Sequence, residues 1–434
     1  MTKFLFVHNN LPAQFGRLME HLASDRRNVV KGVGSHTAKK MKDIEIVRYR
    51  VSTDGLSAVH PFARRFDIEC RRAGQVLFAV AGLRGNGFGA HIIVVHPGWG
   101  EAIPLRDIFP AAKILCYCEF YYGVDESKFD EEFPSVGIDG RVGVSIKNAA
   151  TLLALTQADR GIAPTHWQKS VFPKIYQSRI DVVHDGIMTD EVIPDPHASI
   201  EIDGVTIDPG SETITYVARN LEPYRGFHIM MRSMVRVLKE RPAARIVIVG
   251  GDGVSYGRAP IDAASWKDKM LRELEGELPL DRMHFLGRVP YQTYLAILQV
   301  SAVHIYLTYP FVLSWSLLEA MSAGCLVIGS DTAPVQEVIT HNENGLLVPF
   351  SDIEAIAEQT IQCLEDPDHF VGLRIKARET IVKRYDFARR CLPQQLKILD
   401  KLMASGGQSR EAAADPDNVI PPFLKSRTSK RKST

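Results

Sequence analysis

The stretch VHIYLTYPFVLSWSLLEAMSAGCLVIGSD, Val303 to Asp331, decides the fold. It opens on an apolar run, Val303 to Leu307, carries Glu319 on a helical segment, and re-enters an apolar run, Cys325 to Gly329, through the small residues Ser322, Ala323 and Gly324. Strand, helix and strand joined by short turns make a βαβ unit. Strands of a parallel sheet are covered on both faces and therefore read as continuous apolar runs rather than alternating ones.

The same rhythm extends in both directions. Upstream lie Thr213 to Val217, Arg245 to Val249 and His284 to Leu286, and downstream Leu346 to Val348, each followed by helix-like sequence. Earlier in the chain a second series runs through Lys3 to His8, Val29 to Val33, Ile92 to His96, Ile114 to Tyr117 and Ile180 to His184. Between the two series, IPDPHASIEIDGVTIDPGS is rich in Pro, Asp and Gly and has room for a short strand pair at most. The expected class is α/β, with two Rossmann-like, doubly wound parallel-sheet domains. The expected boundaries are 1–190, a linker over 191–211, a second domain over 212–384, a helix over 385–404, and a disordered tail over 405–434.

A chain of 434 residues exceeds what one hydrophobic core usually organises, in keeping with two domains. Lys and Arg number 52 against 51 Asp and Glu, so no global field draws the chain onto nucleic acid, and phosphate binding must be local. The six cysteines are scattered without a zinc-finger spacing and read as buried, reduced thiols. MTKFLFVHNN enters a strand directly, without a secretory leader, and no window approaches a membrane span, so a cytoplasmic location is expected. Lys425, Arg427, Lys430, Arg431 and Lys432 in the tail leave a peripheral contact with the inner face of a membrane open.

In VARNLEPYRGF, Val217 to Phe227, a strand ends near Arg219, and Arg225 precedes Gly226 and a helix-like segment. Two cations beside a helix N-terminus suit a diphosphate, and a pair of surface arginines is an equal alternative on these residues alone. IVIVGGDG, Ile246 to Gly253, ends a strand in Gly250, Gly251 and Gly253, which lets backbone pass close to a ligand at the carboxyl edge of the sheet. HFLGRVPYQTYLAIL follows from His284, and then the stretch that opened the reading.

In this order the segments resemble the C-terminal domain of family 4 retaining glycosyltransferases of the GT-B fold. The resemblance implies that Arg219 and Arg225 neutralise a donor diphosphate and that Glu319, the last residue of an E-x7-E motif, accepts the ribose hydroxyls. It further implies that the loop Leu313 to Leu317, including Ser314, Trp315, Ser316 and Leu317, presents backbone amides to donor oxygens, and that Gly251, Gly287 and Arg288 line the nucleotide pocket. Phe311 stands where the motif has its first Glu, which in the family contacts the transferred sugar. Tyr309 or a main-chain group is the expected substitute, and an inactive nucleotide-binding relative is the alternative. Glu337 and the turn Asn344-Gly345 match the end of the donor domain, with a helix-surface charge as the plain reading of Glu337.

The N-terminal half resembles the same family in HNNLPAQFGRLMEHLA, in HPGWGEAIPLRDIFPAAKILCYCEFYYG and in GIAPTHWQKSVFP, so the likeness runs from Lys3 to Leu402. Gly16 opens a helix at the first polar corner, in a loop less glycine-rich than in many relatives. His96, Trp99 and Glu101 follow a strand at the carboxyl edge, where Trp99 can support a sugar face or simply pack in a tight turn. Glu119 adjoins the position at which many family members carry a cleft histidine; it either stabilises charge at the reacting carbon or pairs with a cation such as Lys113, with Tyr121 beside it. Thr165 is a helix cap, and His166 lies at the start of that helix.

The resemblance implies sugar transfer with retention of configuration, two domains facing a cleft, no metal and no tightly bound cofactor. The nucleotide-sugar donor would sit mainly on the C-terminal half, and the helix over 385–404 would cross back to the first domain. A hexose-type sugar, a glycan, lipid-linked or small-molecule acceptor, and a place in cell-envelope or polysaccharide synthesis follow by family likeness only. A nucleotide-sugar epimerase of the same fold and a non-catalytic nucleotide-sugar binding protein are the rival readings.

Overall fold

A computed structural model describes residues 1–123 and 137–404. They form two compact units; the first holds the chain up to Asp185 together with the residues from Gln394, and the second runs from Gly186 to Pro393. The basic tail expected over 405–434 lies outside the described residues.

The first unit is built on a seven-stranded sheet, all of whose pairings are parallel. In chain order its strands are β1 (Thr2–Val7), β2 (Asn28–Ser35), β3 (Glu45–Tyr49), β4 (Ile92–Val95), β5 (Lys113–Tyr117), β6 (Arg160–Ala163) and β7 (Ile180–Val182), and in space the order is β3-β2-β1-β4-β5-β6-β7. Leu5, Val7, Ile93, Val95, Ile114 and Cys116 put one face of the central strands into a core. Val76, Val80 and Leu83 of the helix Arg64–Gly85 recur at helical spacing and cover that face. The spatial order reverses direction at β1 and β4, so the loops after these strands diverge and leave a crevice position at their carboxyl ends. His8 and His96 stand there. The helix Leu392–Ala404 belongs to this unit from Gln394 on, and Gln395 Nε2 donates to the His184 carbonyl at 3.0 Å.

The second unit carries β8 (Ile200–Ile202) and β9 (Val205–Ile207) as an antiparallel pair. Its main sheet has β10 (Thr213–Asn220), β11 (Arg245–Gly251), β12 (Met283–Gly287), β13 (Val303–Tyr306), β14 (Val327–Ser330) and β15 (Leu346–Val348) in the spatial order β12-β11-β10-β13-β14-β15. The stretch 191–211, read as a linker, thus lies inside the second unit, with the short strand pair within it. One face of the main sheet packs against Met230, Met231, Met234 and Val237 of the helix Phe227–Glu240, and the other against Leu317, Leu318 and Met321 of the helix Trp315–Ser322.

Five of the six cysteines are buried, but Cys70 is exposed on its helix, against the expectation that all six would be interior. Among the described residues, no helix is long and apolar enough to cross a membrane, and no cluster of His, Cys, Asp and Glu side chains is arranged to hold a metal ion.

Candidate active site

In the second unit the carboxyl ends of β10, β11 and β12 and the helix Tyr291–Gln299 surround a depression of about 630 Å³, lined by Arg219, Gly250, Arg288, Tyr291 and Tyr294 among others. A larger apolar groove of about 820 Å³ lies elsewhere in the unit, against Val371 and Ile375. Two exposed cations, Arg219 and Arg288, therefore open on one space. Arg288 Nη2 donates to the Asn220 side-chain oxygen at 3.2 Å. A methyl group on Gly251 would stand 2.7 Å from that same oxygen and 3.0 Å from the Arg288 guanidinium, so only glycine lets the strand end pass between them.

Glu319 is buried behind two of the lining residues, and both its oxygens accept their phenol hydroxyls: Oε1 from Tyr291 at 2.9 Å and Oε2 from Tyr294 at 2.8 Å. Gly287, in the left-handed region at φ 62°, turns the chain out of β12 toward Arg288.

Arg225 is placed differently from Arg219. It is 8% exposed, and its Nη1 donates to Thr308 Oγ1 at 2.9 Å, to the Val312 carbonyl at 3.0 Å and to Tyr306 Oη at 3.4 Å. The rings of Tyr256 and Phe311 lie 5.6 and 5.9 Å from its guanidinium carbon, within cation–π range. Phe311 itself is buried and packs on Tyr256 at 4.6 Å and Tyr224 at 5.7 Å, with Tyr309 on Tyr224 at 5.2 Å. At the position of the motif's first Glu there is thus an aromatic wall over a buried guanidinium. Gly226 follows at φ 67°, where a methyl group would meet Leu307 Cβ at 2.4 Å; this glycine lets the helix start against β13.

The loop before the helix Trp315–Ser322 is largely closed on itself. Ser314 caps the helix, its own amide donates to Tyr306 Oη at 2.9 Å, the Ser316 amide to Ser314 Oγ at 3.3 Å, and the Leu317 amide to the Ser314 carbonyl at 3.3 Å. These amides, expected to face donor oxygens, have partners within the protein, because a serine cap consumes the first-turn donors that a glycine would leave open. Leu317 is fully buried and Trp315 is 39% exposed.

One residue between the two arginines was not singled out in the sequence. Glu222 is 1% exposed and accepts the amides of Ser255 at 3.1 Å, Tyr256 at 3.1 Å and Gly257 at 2.9 Å. Asn220 Nδ2 adds a bond to Ser255 Oγ at 2.6 Å. Together they fix the loop that carries Tyr256 onto Phe311.

In the first unit His96 and Glu119 meet. The Gly98 amide donates to His96 Nδ1 at 3.1 Å, which puts the ring proton on Nε2, and Nε2 lies 3.1 Å from Glu119 Oε2. Glu119 is 36% exposed at its side chain, whereas His96 is buried. His8 packs edge-on against His96 at 5.4 Å, and Trp99 lies 5.7 Å from it. The Glu119 carbonyl accepts Gln168 Nε2 at 2.7 Å, and Thr165 caps that helix by accepting the Gln168 amide at 3.0 Å. Glu119 therefore has His96 as a side-chain partner.

The remaining first-unit candidates separate. Glu101 has no exposed surface; it accepts the Tyr49 hydroxyl, and burial pushes its carboxyl up to about 7. It lies beneath the His96 corner and not on its surface. Tyr121 packs on Phe172 at 5.8 Å, His166 is exposed at the start of its helix, and Gly16 sits against Pro12. In the second unit, the Glu337 carbonyl accepts Arg384 Nη2 at 3.1 Å.

Residues 26–192 match the family model described as glycosyl transferase family 4 group, and residues 200–382 match the one described as glycosyl transferases group 1. The chain belongs to the family 4 glycosyltransferases. Its fold is GT-B. Over 181 residues it is 29% identical to the phosphatidyl-myo-inositol mannosyltransferase of Mycolicibacterium smegmatis, covering 41% of this chain and 42% of that one. Over 105 residues it is 30% identical to the N-acetyl-alpha-D-glucosaminyl L-malate synthase of Bacillus anthracis, covering 24% and 27%. The matched stretches thus span less than half the length of these relatives. Among solved structures, sucrose-phosphate synthase from Thermosynechococcus elongatus superimposes with TM-score 0.71 at 16% identity, covering 94% of this chain and 100% of that one. Anabaena HepE in complex with UDP gives 0.67 at 13% identity, covering 92% and 100%. At these identities the likeness is one of fold. In this member of the family 4 glycosyltransferases, Phe311 is part of an aromatic wall over Arg225.

Proposed function

We propose that this family 4 glycosyltransferase moves a hexose-type sugar from a nucleotide diphosphate sugar to a glycan, lipid-linked or small-molecule acceptor, with retention of configuration and without a metal. The observation that carries the reading is the convergence of Arg219, Arg288, Tyr291 and Tyr294 on one depression at the carboxyl edge of the second sheet, with the carboxylate of Glu319 held directly behind the two tyrosines. Exposed guanidinium groups stabilise a diphosphate, and a buried carboxylate with remaining lone pairs accepts a ribose diol. Arg225 acts behind them: its bonds to Thr308 and Val312 hold the loop that leads to Ser314, and its charge adds to the field at the leaving diphosphate.

In the first unit Glu119 is the group placed to stabilise charge at the reacting carbon or to take a proton from the acceptor hydroxyl. His96 donates Nε2–H to it, which fixes the carboxylate's direction. Trp99, partly exposed beside this pair, offers an apolar face to a sugar ring. The likeness to relatives such as a phosphatidyl-myo-inositol mannosyltransferase supports a cell-envelope acceptor reached at the inner face of a membrane. The UDP complex of HepE and the GDP-mannose dependence named for another relative, from Mycobacterium tuberculosis, make UDP and GDP the first nucleotides to try.

The test is thermal stabilisation of the full chain by UDP, GDP, ADP and TDP, with Arg219→Ala and Arg288→Ala beside the wild type. A ligand at one hundred times its dissociation constant stabilises by roughly 2.7 kcal/mol, a shift easily resolved. Selective stabilisation by one nucleotide, lost in both variants, supports the donor site; no shift with any nucleotide overturns it. Phe311 favours one second reading, a nucleotide-sugar binding protein without transfer. That reading predicts nucleotide binding together with no turnover and no hydrolysis of the bound donor on any acceptor tried.

A further inference from the structure

The corner 96–101 of the first unit is held from below by one face of the helix Arg64–Gly85. Arg65, Glu69 and Arg72 recur at helical spacing on that face. Arg65 Nε donates to Glu69 Oε1 at 2.9 Å and sets its guanidinium 5.8 Å from the Trp99 ring. Arg72 Nη1 donates to the Trp99 carbonyl at 2.6 Å. Gly100, at φ 87°, then brings the chain down against the Glu69 backbone, and Glu101 points inward. The groups that face its carboxyl are the Tyr49 hydroxyl from β3, Arg72 from the helix, His96 from the corner itself and the Asn9 amide from the loop after β1. The helix Ala149–Gln157, which also packs on the corner, brings no titratable side chain.

Two buried atoms in this cluster have no hydrogen-bond partner, and they belong to groups of opposite charge: Glu101 Oε2 and Arg72 Nε. A neutral carboxyl tolerates such a place, whereas an ionised one costs far more unless a cation pairs with it. Burial pushes the Glu101 carboxyl up to about 7, so both forms are populated near neutral pH. Arg72 already interacts with the Tyr49 hydroxyl and with Glu101, and a guanidinium bonds a carboxylate more strongly than a neutral carbonyl. We propose that Arg72 is a positioning residue with two holds: on the Trp99 carbonyl while Glu101 keeps its proton, and on the Glu101 carboxylate once that proton is lost. The second hold frees the corner at Trp99, and the ring moves with it. Glu69, one turn away from Arg72, is engaged by Arg65 and is not the group that draws Arg72 off. The consequence for transfer rests on the reading of Trp99 and Glu119 as the sugar-facing groups: transfer slows as pH rises through about 7, while nucleotide binding by the second unit is unchanged.

The experiment is fluorine NMR of the full chain with 5-fluorotryptophan in place of its four tryptophans, the Trp99 signal being assigned by Trp99→Phe. Spectra at pH 5, 6, 7 and 8 are compared for the wild type, Glu101→Gln and Arg72→Met. In the wild type the Trp99 signal is expected to move with a midpoint near 7, while those of Trp167, Trp266 and Trp315 stay in place. In Glu101→Gln it is expected to keep its low-pH position throughout. In Arg72→Met, which cannot hold the Trp99 carbonyl, it is expected to be displaced already at pH 5 and to stay there. A wild-type signal that does not move overturns the proposal, as does an equal movement in Glu101→Gln, which would assign the titration to Glu69 or His96. Movement of all four signals together also overturns it, because it reports a general loosening. Should Arg72→Met melt early, Glu101→Gln, which keeps an acceptor for Tyr49, still decides. The signal needs no sugar substrate: the expected movement of Trp99 together with a transfer rate that ignores pH would overturn the sugar-facing reading and leave the two holds of Arg72 standing.

Discussion

Glu101→Gln should remove a pH dependence of stability that the wild type carries between about pH 4.5 and 7. Glu101 has no exposed surface, its Oε2 lies buried with no hydrogen-bond partner, and burial raises its carboxyl from the ordinary 4.5 to about 7. The Tyr49 hydroxyl, the positive charge of Arg72, His96 and the Asn9 amide favour the ionised form without cancelling that effect. In the unfolded chain the same carboxyl titrates near its ordinary value, so over this window the folded state holds more proton than the unfolded one. The stabilisation is complete below about pH 4.5 and is lost as pH rises through about 7. The interval of about 2.5 pH units, at 1.36 kcal/mol per unit, makes the loss about 3 kcal/mol. Glutamine keeps an acceptor for Tyr49 and cannot ionise. Urea unfolding at pH 5, 6, 7 and 8, followed by a probe in the first unit, should show the wild type losing stability relative to Glu101→Gln as pH rises, with the difference levelling off above pH 7. Parallel curves, constant within about 0.5 kcal/mol, would refute the reasoning, because they would mean that the carboxyl is hydrated and ionised throughout.

Two further outcomes concern the buried Glu222 of the second unit and the half-buried Glu119 of the first. Glu222→Ala leaves the amides of Ser255, Tyr256 and Gly257 without their acceptor and should cost about 3 kcal/mol, a melting shift of roughly 6–12 °C for a unit of this size; Glu222→Gln should recover part of it, and a shift under about 1 °C would show that water replaces the carboxylate freely. Glu119→Gln should lower the transfer rate by about a hundredfold or more while leaving nucleotide binding by the second unit unchanged, measured as kcat beside the nucleotide Kd; an unchanged kcat would reduce Glu119 to a partner of His96.

The parallel sheets were legible because buried strands leave continuous apolar runs, and the strands that escaped are those where this signal fails. β3 reads EIVRY and is an edge strand with mixed polarity, and β6 reads RGIA, four residues with a glycine. Glu101 illustrates a different limit. Its place after HPGWG suggested a surface role, but the turn at Gly100, where a methyl group would meet the Glu69 carbonyl at 2.3 Å, directs the next side chain inward. Nothing in the local pattern distinguishes an acid facing out of such a turn from one facing in. Tyr291 and Tyr294 carried a readable signal, two phenols at i and i+3, but their acceptor lies 25 residues on from Tyr294, beyond any local spacing.

Arg219 and Arg225 were read as equals because a motif records residue type and spacing but not the shell around each side chain. The shell separates them. Arg219 opens on the depression, whereas Arg225 ties Thr308 and Val312 together beneath Tyr256 and Phe311. Removing a buried guanidinium strands its acceptors and loosens the loop they belong to, so Arg225→Ala would weaken nucleotide binding whether or not its charge ever meets a phosphate. Removing Arg219 changes the field and the contacts presented to a ligand, and removing Arg288 costs in addition its one 3.2 Å bond to Asn220. The informative comparison at this site is therefore between these two exposed arginines. Phe311 makes it more so: it sets an aromatic ring beside the Arg225 guanidinium, while the nearby Glu222 is engaged by backbone amides and Glu319 lies behind its tyrosines.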